Sequence, residues 1–391
     1  MGFDRRVFKN IEIMNIHKTQ RQQINRRFLI VLTTLMVASS ITTQSQNNAD
    51  NYSRERYLMI TDPTFEKTLT EFAQYKQSIG FDVQVVNTDV TGKKKTEIKN
   101  YIQNQYDNIS TRPKYLLLVG DVAHIPAYEG NPSGKIKDNP ISDLGYALLE
   151  GNDNFADLFL GRFSVSNEKE LKNLIDKTIF MEKNRDGFEK KAVFVAGDEK
   201  KGVWNRAYMR NSFLKVHKNI IHSCFIPLGY DCRELYFPNR TNVVNALNDN
   251  PLFFIYAGHG NFTSFAGKTF ELEYKDIMSL KNKVYPIVFA FSCKTGNFAQ
   301  MCIGEYFIRE EEKGAVAYFG SSVNTQTNLD PIIAKKIFEV MVNNEAQSLS
   351  AIINLGMKRY YQTIGISKKK KNIYIKAFNL LGDPSLKLKN E

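Results

Sequence analysis

The chain has few cysteines and no arrangement of them that could build a fold. Its 391 residues include only Cys224, Cys232, Cys293 and Cys302, too few for a disulfide scaffold, and no two of them have the CxxC spacing of a zinc site. Five histidines add no recognisable zinc spacing. In an exported protein Cys224 and Cys232 could pair, and the sequence leaves that open because pairing depends on geometry.

The chain also lacks an apolar run long enough to span a bilayer. The run from Phe28 to Ile41 has roughly fourteen residues, short of the ~20 that a membrane helix needs. It follows Arg26-Arg27 and leads into small and then polar residues, which is the order of a secretory signal. We therefore predict a signal peptide over 1–40 and a linker over 41–52. The mature protein should be exported, periplasmic or secreted, without stable membrane insertion.

Acidic residues are outnumbered, with 41 Asp and Glu against 53 Lys and Arg, giving a net charge of +12. Part of that excess lies in the first fifty residues, and four more charges form one run, Lys368 to Lys371. A lysine run without interleaved aromatic residues is typical of a solvated loop. We therefore predict no nucleic-acid partner, and the sequence does not predict the oligomeric state.

Short β-branched runs alternate with amphipathic stretches from Arg56 onward. This alternation is typical of a mostly parallel sheet covered by helices on both faces. The pattern pauses at "RDGFEKK" and then restarts. We therefore predict two α/β subdomains, over 53–187 and 188–391, each with a mostly parallel sheet flanked by helices.

Two reactive side chains follow two buried strands in the second half. His259 directly follows "LFFIYAG", and Cys293 directly follows "YPIVFAFS". The two residues are 34 positions apart, a separation that fits a strand-helix-strand unit. The two strands would run parallel, so their carboxyl ends would share the edge where open α/β sheets bind ligands. We therefore expect His259 and Cys293 to meet.

A thiol becomes an effective nucleophile when a neighbouring imidazole favours the thiolate or accepts its proton. Acyl transfer also needs hydrogen-bond donors for the developing oxyanion. The backbone N–H groups of Gly260 and Cys293 are candidates, and Gly258 and Gly260 would leave the substrate room to approach the main chain. The other reading is structural, since a buried cysteine commonly acts as a small hydrophobe, and we expect that role for Cys302. His217 and His222 are expected at the surface.

Two of these segments resemble motifs of the gingipain-like cysteine endopeptidases, whose catalytic domain has a caspase-like fold. "YAGHGNFTSF" is similar to their Gly-His-Gly motif and "FSCKTGNF" to their Cys-x-x-Gly-x-Phe motif. Further segments, among them "YLLLVGDVAHIP" and "LLGDPSL", follow in the same order. The resemblance extends from about Tyr57 to Leu386.

The resemblance implies roles for individual residues. Cys293 would be the nucleophile and His259 the general base and acid, supported by an acidic residue in "VFVAGDE", which is Glu199 or its neighbour Asp198. Asn324 and Thr327 would contribute to substrate binding. Thr327 lies near the position where family members carry a tryptophan over the primary specificity pocket.

Two further family features are calcium binding and an acidic specificity pocket. "GNDNFAD" offers Asp153 and Asp157 as ligands for a structural Ca²⁺, an ion that prefers oxygen ligands, although Asn and Asp in loops also stabilise turns. The chemistry itself would need no cofactor. The segment that should hold the acid of the arginine pocket, "KKGVWNRAYMR", has none, so the resemblance does not predict cleavage after arginine.

The sequence therefore predicts an exported cysteine endopeptidase that acts on proteins or peptides through a Cys-His dyad and an acyl-enzyme. Two alternatives remain open at this point. One is a caspase-like binding protein without catalytic activity, and the other is a peptide ligase or transpeptidase that uses the same dyad.

Overall fold

The structure is a computed structural model that describes residues 54–130, 139–197, 213–266 and 270–388. The predicted signal peptide and linker, together with Asp198 and Glu199, lie outside these ranges. Within them, no helix is both long and apolar enough to cross a membrane.

A ten-stranded sheet forms the centre of the described part of the chain. In spatial order its strands are β2 (Asp82–Asn87), β1 (Arg56–Thr61), β3 (Tyr115–Val119), β6 (Phe159–Phe163), β15 (Phe378–Leu381), β14 (Ala317–Ser321), β13 (Ile287–Phe291), β9 (Phe253–Ala257), β7 (Lys191–Ala196) and β8 (Asp231–Tyr236). Short strands form two smaller sheets, β4 (Tyr128–Glu129) with β5 (Ile141–Ser142), and β10 (His259–Gly260) with β11 (Ser264–Ala266) and β12 (Glu271–Glu273).

The strands of each half pair in parallel, and β15 runs antiparallel to β14. Every residue of β3, β9, β13 and β14 is buried. Strands of a parallel sheet are covered on both faces, so such continuous apolar runs are expected in them.

Helices cover both faces of the sheet. They are α1 (Glu66–Ser78), α2 (Thr88–Thr91), α3 (Lys95–Asp107), α4 (Glu168–Asn184), α5 (Lys215–Ile220), α6 (Arg240–Asn248), α7 (Tyr274–Met278), α8 (Ile303–Arg309), α9 (Asp330–Val342), α10 (Leu349–Gln362) and α11 (Lys368–Ala377).

Alternate residues of each central strand pack into different cores. In β9, Phe253 and Ile255 join the core that contains apolar residues of α9, α10 and α11. Phe254 and Tyr256 join the opposite core, with residues of α4, α6 and α8. This is the two-residue period of a strand, in which successive side chains point to opposite faces.

The predicted α/β class with a mostly parallel sheet flanked by helices is confirmed. The strands of the two predicted subdomains lie in one continuous sheet, because β15 from the end of the chain sits between β6 and β14. The boundary at residue 187 stays a prediction.

A buried ion-pair network ties the chain after β15 to the first strand and helix. Lys76 Nζ lies 2.6 Å from Asp383 and 2.8 Å from Glu182, and the Tyr57 hydroxyl donates to Asp383 Oδ1 at 2.6 Å. Lys76 and Asp383 have no exposed surface. The network therefore connects residues that are far apart in sequence.

Two expectations about single residues have clear outcomes. All four cysteines are free thiols, and Cys302 is buried as expected. His217 was expected at the surface, and that expectation is wrong. Its ring is 1% exposed and packs near the rings of Phe194, Phe213 and Tyr236, because the apolar side of α5 faces the sheet.

Candidate active site

The register of two parallel strands places the predicted histidine and cysteine at one edge of the sheet. Ala257 at the end of β9 is paired with Phe291 at the end of β13. His259 and Cys293 each lie two residues beyond that pair. His259 is exposed and Cys293 is half-buried. Both residues therefore lie near the surface, where the buried strands β9 and β13 end.

The histidine is held by backbone contacts on both sides. His259 pairs with Ala266 in the β10–β11 hairpin, and the buried Tyr256 hydroxyl lies 2.6 Å from the His259 carbonyl oxygen. The Tyr256 ring stacks on Phe265, with centroids 4.2 Å apart. These contacts fix the backbone from which the imidazole projects.

The two glycines beside His259 have different neighbours. A Cβ on Gly260 would lie 2.6 Å from the Thr295 methyl and 3.0 Å from the Cys293 carbonyl oxygen. A Cβ on Gly258 would lie 2.6 Å from the Tyr256 hydroxyl. Glycine is therefore required so that the histidine and cysteine segments can pack closely, in addition to any room it leaves for a substrate.

The segment after Cys293 is fastened to the end of β14. The N–H groups of Lys294 and Gly296 donate to the carbonyl oxygens of Val323 and Ser321, at 3.0 and 2.9 Å. A Cβ on Gly296 would lie 2.6 Å from the backbone of Gly320. The glycine of the Cys-x-x-Gly-x-Phe motif thus allows two backbones to touch.

The remaining motif residues, Asn297 and Phe298, are buried. The Asn297 amide donates to the Ser322 carbonyl oxygen at 2.7 Å. The Phe298 ring lies 5.0 Å from the guanidinium of Arg162, which is paired with Asp143 at 2.7 Å. These buried contacts therefore fix the position of the segment that carries the thiol.

The backbone N–H of Thr325 donates a hydrogen bond to the Cys293 sulfur, 3.3 Å away. Burial raises the pKa of the Cys293 thiol, and the Thr325 N–H opposes that shift. Because the raised pKa favours the protonated thiol at neutral pH, attack on a carbonyl requires a base that accepts the proton. His259, at the same edge of the sheet, is the predicted base.

Sequence reasoning did not identify Thr325 or Asp330. The Thr325 hydroxyl donates to Asp330 Oδ2 at 2.6 Å, and Asp330 begins α9 as a 2% exposed carboxyl. An Asp-Pro pair at the start of a helix is ordinary capping chemistry. No local pattern therefore distinguishes this acid from a structural one.

Comparison with known proteins assigns the family. The model of peptidase family C25 matches residues 50–389. The chain belongs to peptidase family C25. This confirms the resemblance to the gingipain-like peptidases.

Two gingipains of Porphyromonas gingivalis are among its C25 relatives. A Lys-gingipain is 29% identical over 328 residues, which cover 79% of this chain and 18% of the relative. Gingipain R2 is 26% identical over 353 residues, which cover 85% of this chain and 45% of the relative. The chain spans less than half the length of each.

Solved structures support the same C25 fold. One protease structure has a TM-score of 0.77 at 25% identity, and the Arg-specific cysteine proteinase gingipain R has a TM-score of 0.72 at 22% identity. Each match covers 86% of this chain and 79% of the other. The caspase-like fold class is therefore confirmed.

Other predicted residues of the C25 site have varied placements. Asn324 is exposed and Thr327 half-buried, and they flank Thr325 in the loop that contacts the Cys293 sulfur. Glu199 and its alternative Asp198 lie outside the described residues. The roles of all these residues stay predictions.

At the predicted calcium loop both aspartates accept backbone hydrogen bonds, and calcium binding there stays a prediction. Asp157 Oδ2 accepts the N–H groups of Leu149 and Glu150, at 2.6 and 2.8 Å, and Asp153 Oδ1 accepts the Phe155 N–H at 2.9 Å. Both carboxylates thus stabilise turns. Within the described ranges no group of three or more His, Cys, Asp or Glu could hold a metal.

Proposed function

We propose that the chain is a cysteine endopeptidase that cleaves protein or peptide substrates through Cys293 and His259. The observation that carries this proposal is the strand register, which brings both residues to one sheet edge in a chain of family C25. Binding alone would not require a thiol and an imidazole at that position.

The proposed reaction has two steps, acylation of Cys293 and hydrolysis of the resulting thioester. His259 takes the Cys293 proton as the sulfur attacks the substrate carbonyl carbon, and then gives that proton to the leaving amine as the peptide bond breaks. A water molecule then gives a proton to His259 and attacks the thioester. The C–S bond of the thioester then breaks, and the substrate's new carboxylic acid is released. His259 returns its proton to the Cys293 sulfur.

The Cys293 and Gly260 N–H groups are the proposed oxyanion donors. They belong to the two segments whose backbones touch at the site, where the Gly260 Cα lies against the Cys293 carbonyl. Donors fixed before the reaction stabilise the developing charge without reorganisation.

Replacement of Cys293 by alanine tests the proposal. Turnover of a peptide library should be lost, while the thermal unfolding midpoint should change little, because a half-buried thiol contributes little to packing. Retained turnover would contradict the assignment. Wild-type protein that converts added amines into new peptide bonds instead of releasing acids would favour the ligase alternative.

We also propose that the protein is exported through its N-terminal apolar segment, from Phe28 to Ile41. The support is the order of basic, apolar and small residues in the sequence. Expression of the full chain in a bacterial host, followed by N-terminal sequencing of exported protein, tests this. We expect a new N-terminus near residue 41, and an intact N-terminus on cytoplasmic protein would contradict it.

A further inference from the structure

The nucleophile has a buried carboxyl close behind it that the two-residue dyad does not use. Asp330 is 2% exposed and lies at the start of α9, which follows the loop after β14. That loop contains Thr325, the residue that contacts the Cys293 sulfur. A carboxyl in such a place requires an explanation, because an isolated buried charge is unfavourable.

Thr325 contacts both the thiol and the carboxyl. Its backbone N–H lies 3.3 Å from Cys293 Sγ. Its hydroxyl lies 3.9 Å from the same sulfur and donates to Asp330 Oδ2 at 2.6 Å. One hydroxyl proton cannot serve both acceptors, so the carboxyl and the thiolate compete for it.

The loop that carries Thr325 is fixed from the other side. The Gln326 N–H donates to the Tyr374 hydroxyl of α11, and Tyr360 of α10 lies close to Tyr374, with ring centroids 5.9 Å apart. In the described part of the chain, the titratable groups that interact with Asp330 are Cys293, Tyr374 and Tyr360, and the charge of Lys294 also acts on Cys293.

We propose that Asp330 is a positioning residue that controls the ionisation of Cys293 through Thr325. When Asp330 is ionised, it holds the Thr325 hydroxyl and its charge opposes formation of the thiolate. When Asp330 is protonated, it can donate to the Thr325 oxygen, and the hydroxyl proton is free to turn toward the sulfur. The inference rests on the proposed role of Cys293 as nucleophile.

The direction of the pKa shifts agrees with this coupling. Burial raises the pKa of Asp330 to about 7, against the lowering effect of hydrogen bonds with Thr325 and Tyr374. The same carboxyl contributes to the raised pKa of Cys293. The switch would therefore operate near neutral pH.

Alkylation of Cys293 by iodoacetamide, followed by mass spectrometry across pH 5 to 9, tests the proposal without requiring peptidase activity. Below about pH 6 the Asp330→Asn variant and the wild type should react at the same rate. Above pH 7 the variant should react faster, by roughly three- to tenfold, because it carries no charge beside the thiolate. A gap of constant size, or none, would overturn the proposal.

A second pair of variants decides the outcome if Asp330→Asn does not fold. Thr325→Val removes the hydroxyl and keeps the backbone N–H, so the bend in the alkylation profile should move to higher pH, because the carboxylate loses a donor. Thr325→Ser should restore the wild-type profile. A Thr325→Val profile identical to that of the wild type would overturn the coupling.

Cys232 serves as an internal control. Burial raises its pKa to about 11, and it lies on β8, at the sheet edge beyond β7 and β9 from Cys293. Its alkylation should be the same in every variant. Turnover retained by Cys293→Ala would refute the role of Cys293 as nucleophile, whereas an unchanged Asp330→Asn profile would refute only the coupling.

Discussion

At the scale of single residues, Gly260 is a position of the site that leaves no space for a side chain. Its Cα faces the Thr295 methyl and the Cys293 carbonyl oxygen, and an added Cβ would be within 3.0 Å of both. Neither group lies at the far end of a flexible side chain. The histidine and cysteine segments would therefore have to separate.

Gly260→Ala should reduce kcat/KM by at least about tenfold, because a displacement of under an ångström at reacting groups costs that much or more. Steady-state hydrolysis of a susceptible peptide measures the effect. The matched control is Gly187→Ala, since an added Cβ there meets nothing within 4 Å. Equal activity of the two variants would contradict the close packing described for Gly260.

His217 should make the protein less stable in acid. Burial lowers its pKa to about 3, whereas the unfolded chain titrates near 6.5. Between these values the unfolded state binds more protons, so the free energy of unfolding falls as the pH falls, by up to about 1.4 kcal/mol per pH unit.

Urea unfolding at pH 7 and pH 4.5 tests this prediction. His217→Phe should lose less stability than the wild type over that interval, because it has no imidazole to protonate. The exposed His222→Gln serves as control and should follow the wild type. An equal loss in His217→Phe and the wild type would show that His217 does not carry the acid sensitivity.

At the scale of elements, the segment from Cys293 to Phe298 depends on its contact with β14. Gly296→Ala would force a Cβ against the Gly320 backbone at 2.6 Å, and overpacking of this kind costs about 1–3 kcal/mol. We expect a lower thermal unfolding midpoint together with loss of activity. Ala299→Ser, at an exposed position of the same segment, is the control and should change neither the midpoint nor the activity. A Gly296→Ala variant with unchanged midpoint and activity would contradict the importance of the contact.

The elements that carry His259 and Cys293 were predictable because their signals are local. Continuous apolar runs marked β9 and β13, and their parallel pairing followed from the helix between them. Thr325 contacts Cys293 from the loop after a third strand, β14, and Asp330 at the start of α9 contacts Thr325. No sequence pattern gives the order of strands in a sheet, so that contact could not be predicted.

At the scale of the whole molecule, the contacts between segments far apart in sequence were the features that sequence reasoning missed. β15 lies at the end of the chain, yet it joins the strands of the two predicted halves into one sheet. In the sequence, the segment "LLGDPSL" stands out only through its family resemblance. Its Asp383 is a buried partner of Lys76 and Tyr57, and the importance of that aspartate depends on tertiary contacts.

Lys76→Met should destabilise the whole described unit, by about 3 kcal/mol or more, since it leaves buried carboxyls without their cation. Denaturant unfolding measures this loss. The exposed ion pair of Lys172 with Asp176 provides the control, because Lys172→Met should cost under about 1 kcal/mol. Adding Asp383→Asn to Lys76→Met should recover part of the loss, and a Lys76→Met variant as stable as the control would contradict the role of the network.

The most direct measurement of the central claim is covalent labelling by a peptide that carries a thiol-directed electrophile, read by mass spectrometry. We predict one modification, at Cys293 in preference to Cys224, Cys232 and Cys302, and a large decrease in its rate in His259→Ala while the thermal unfolding midpoint stays unchanged. Labelling spread over the four cysteines, or labelling of Cys293 at an undiminished rate without His259, would contradict a Cys293–His259 dyad.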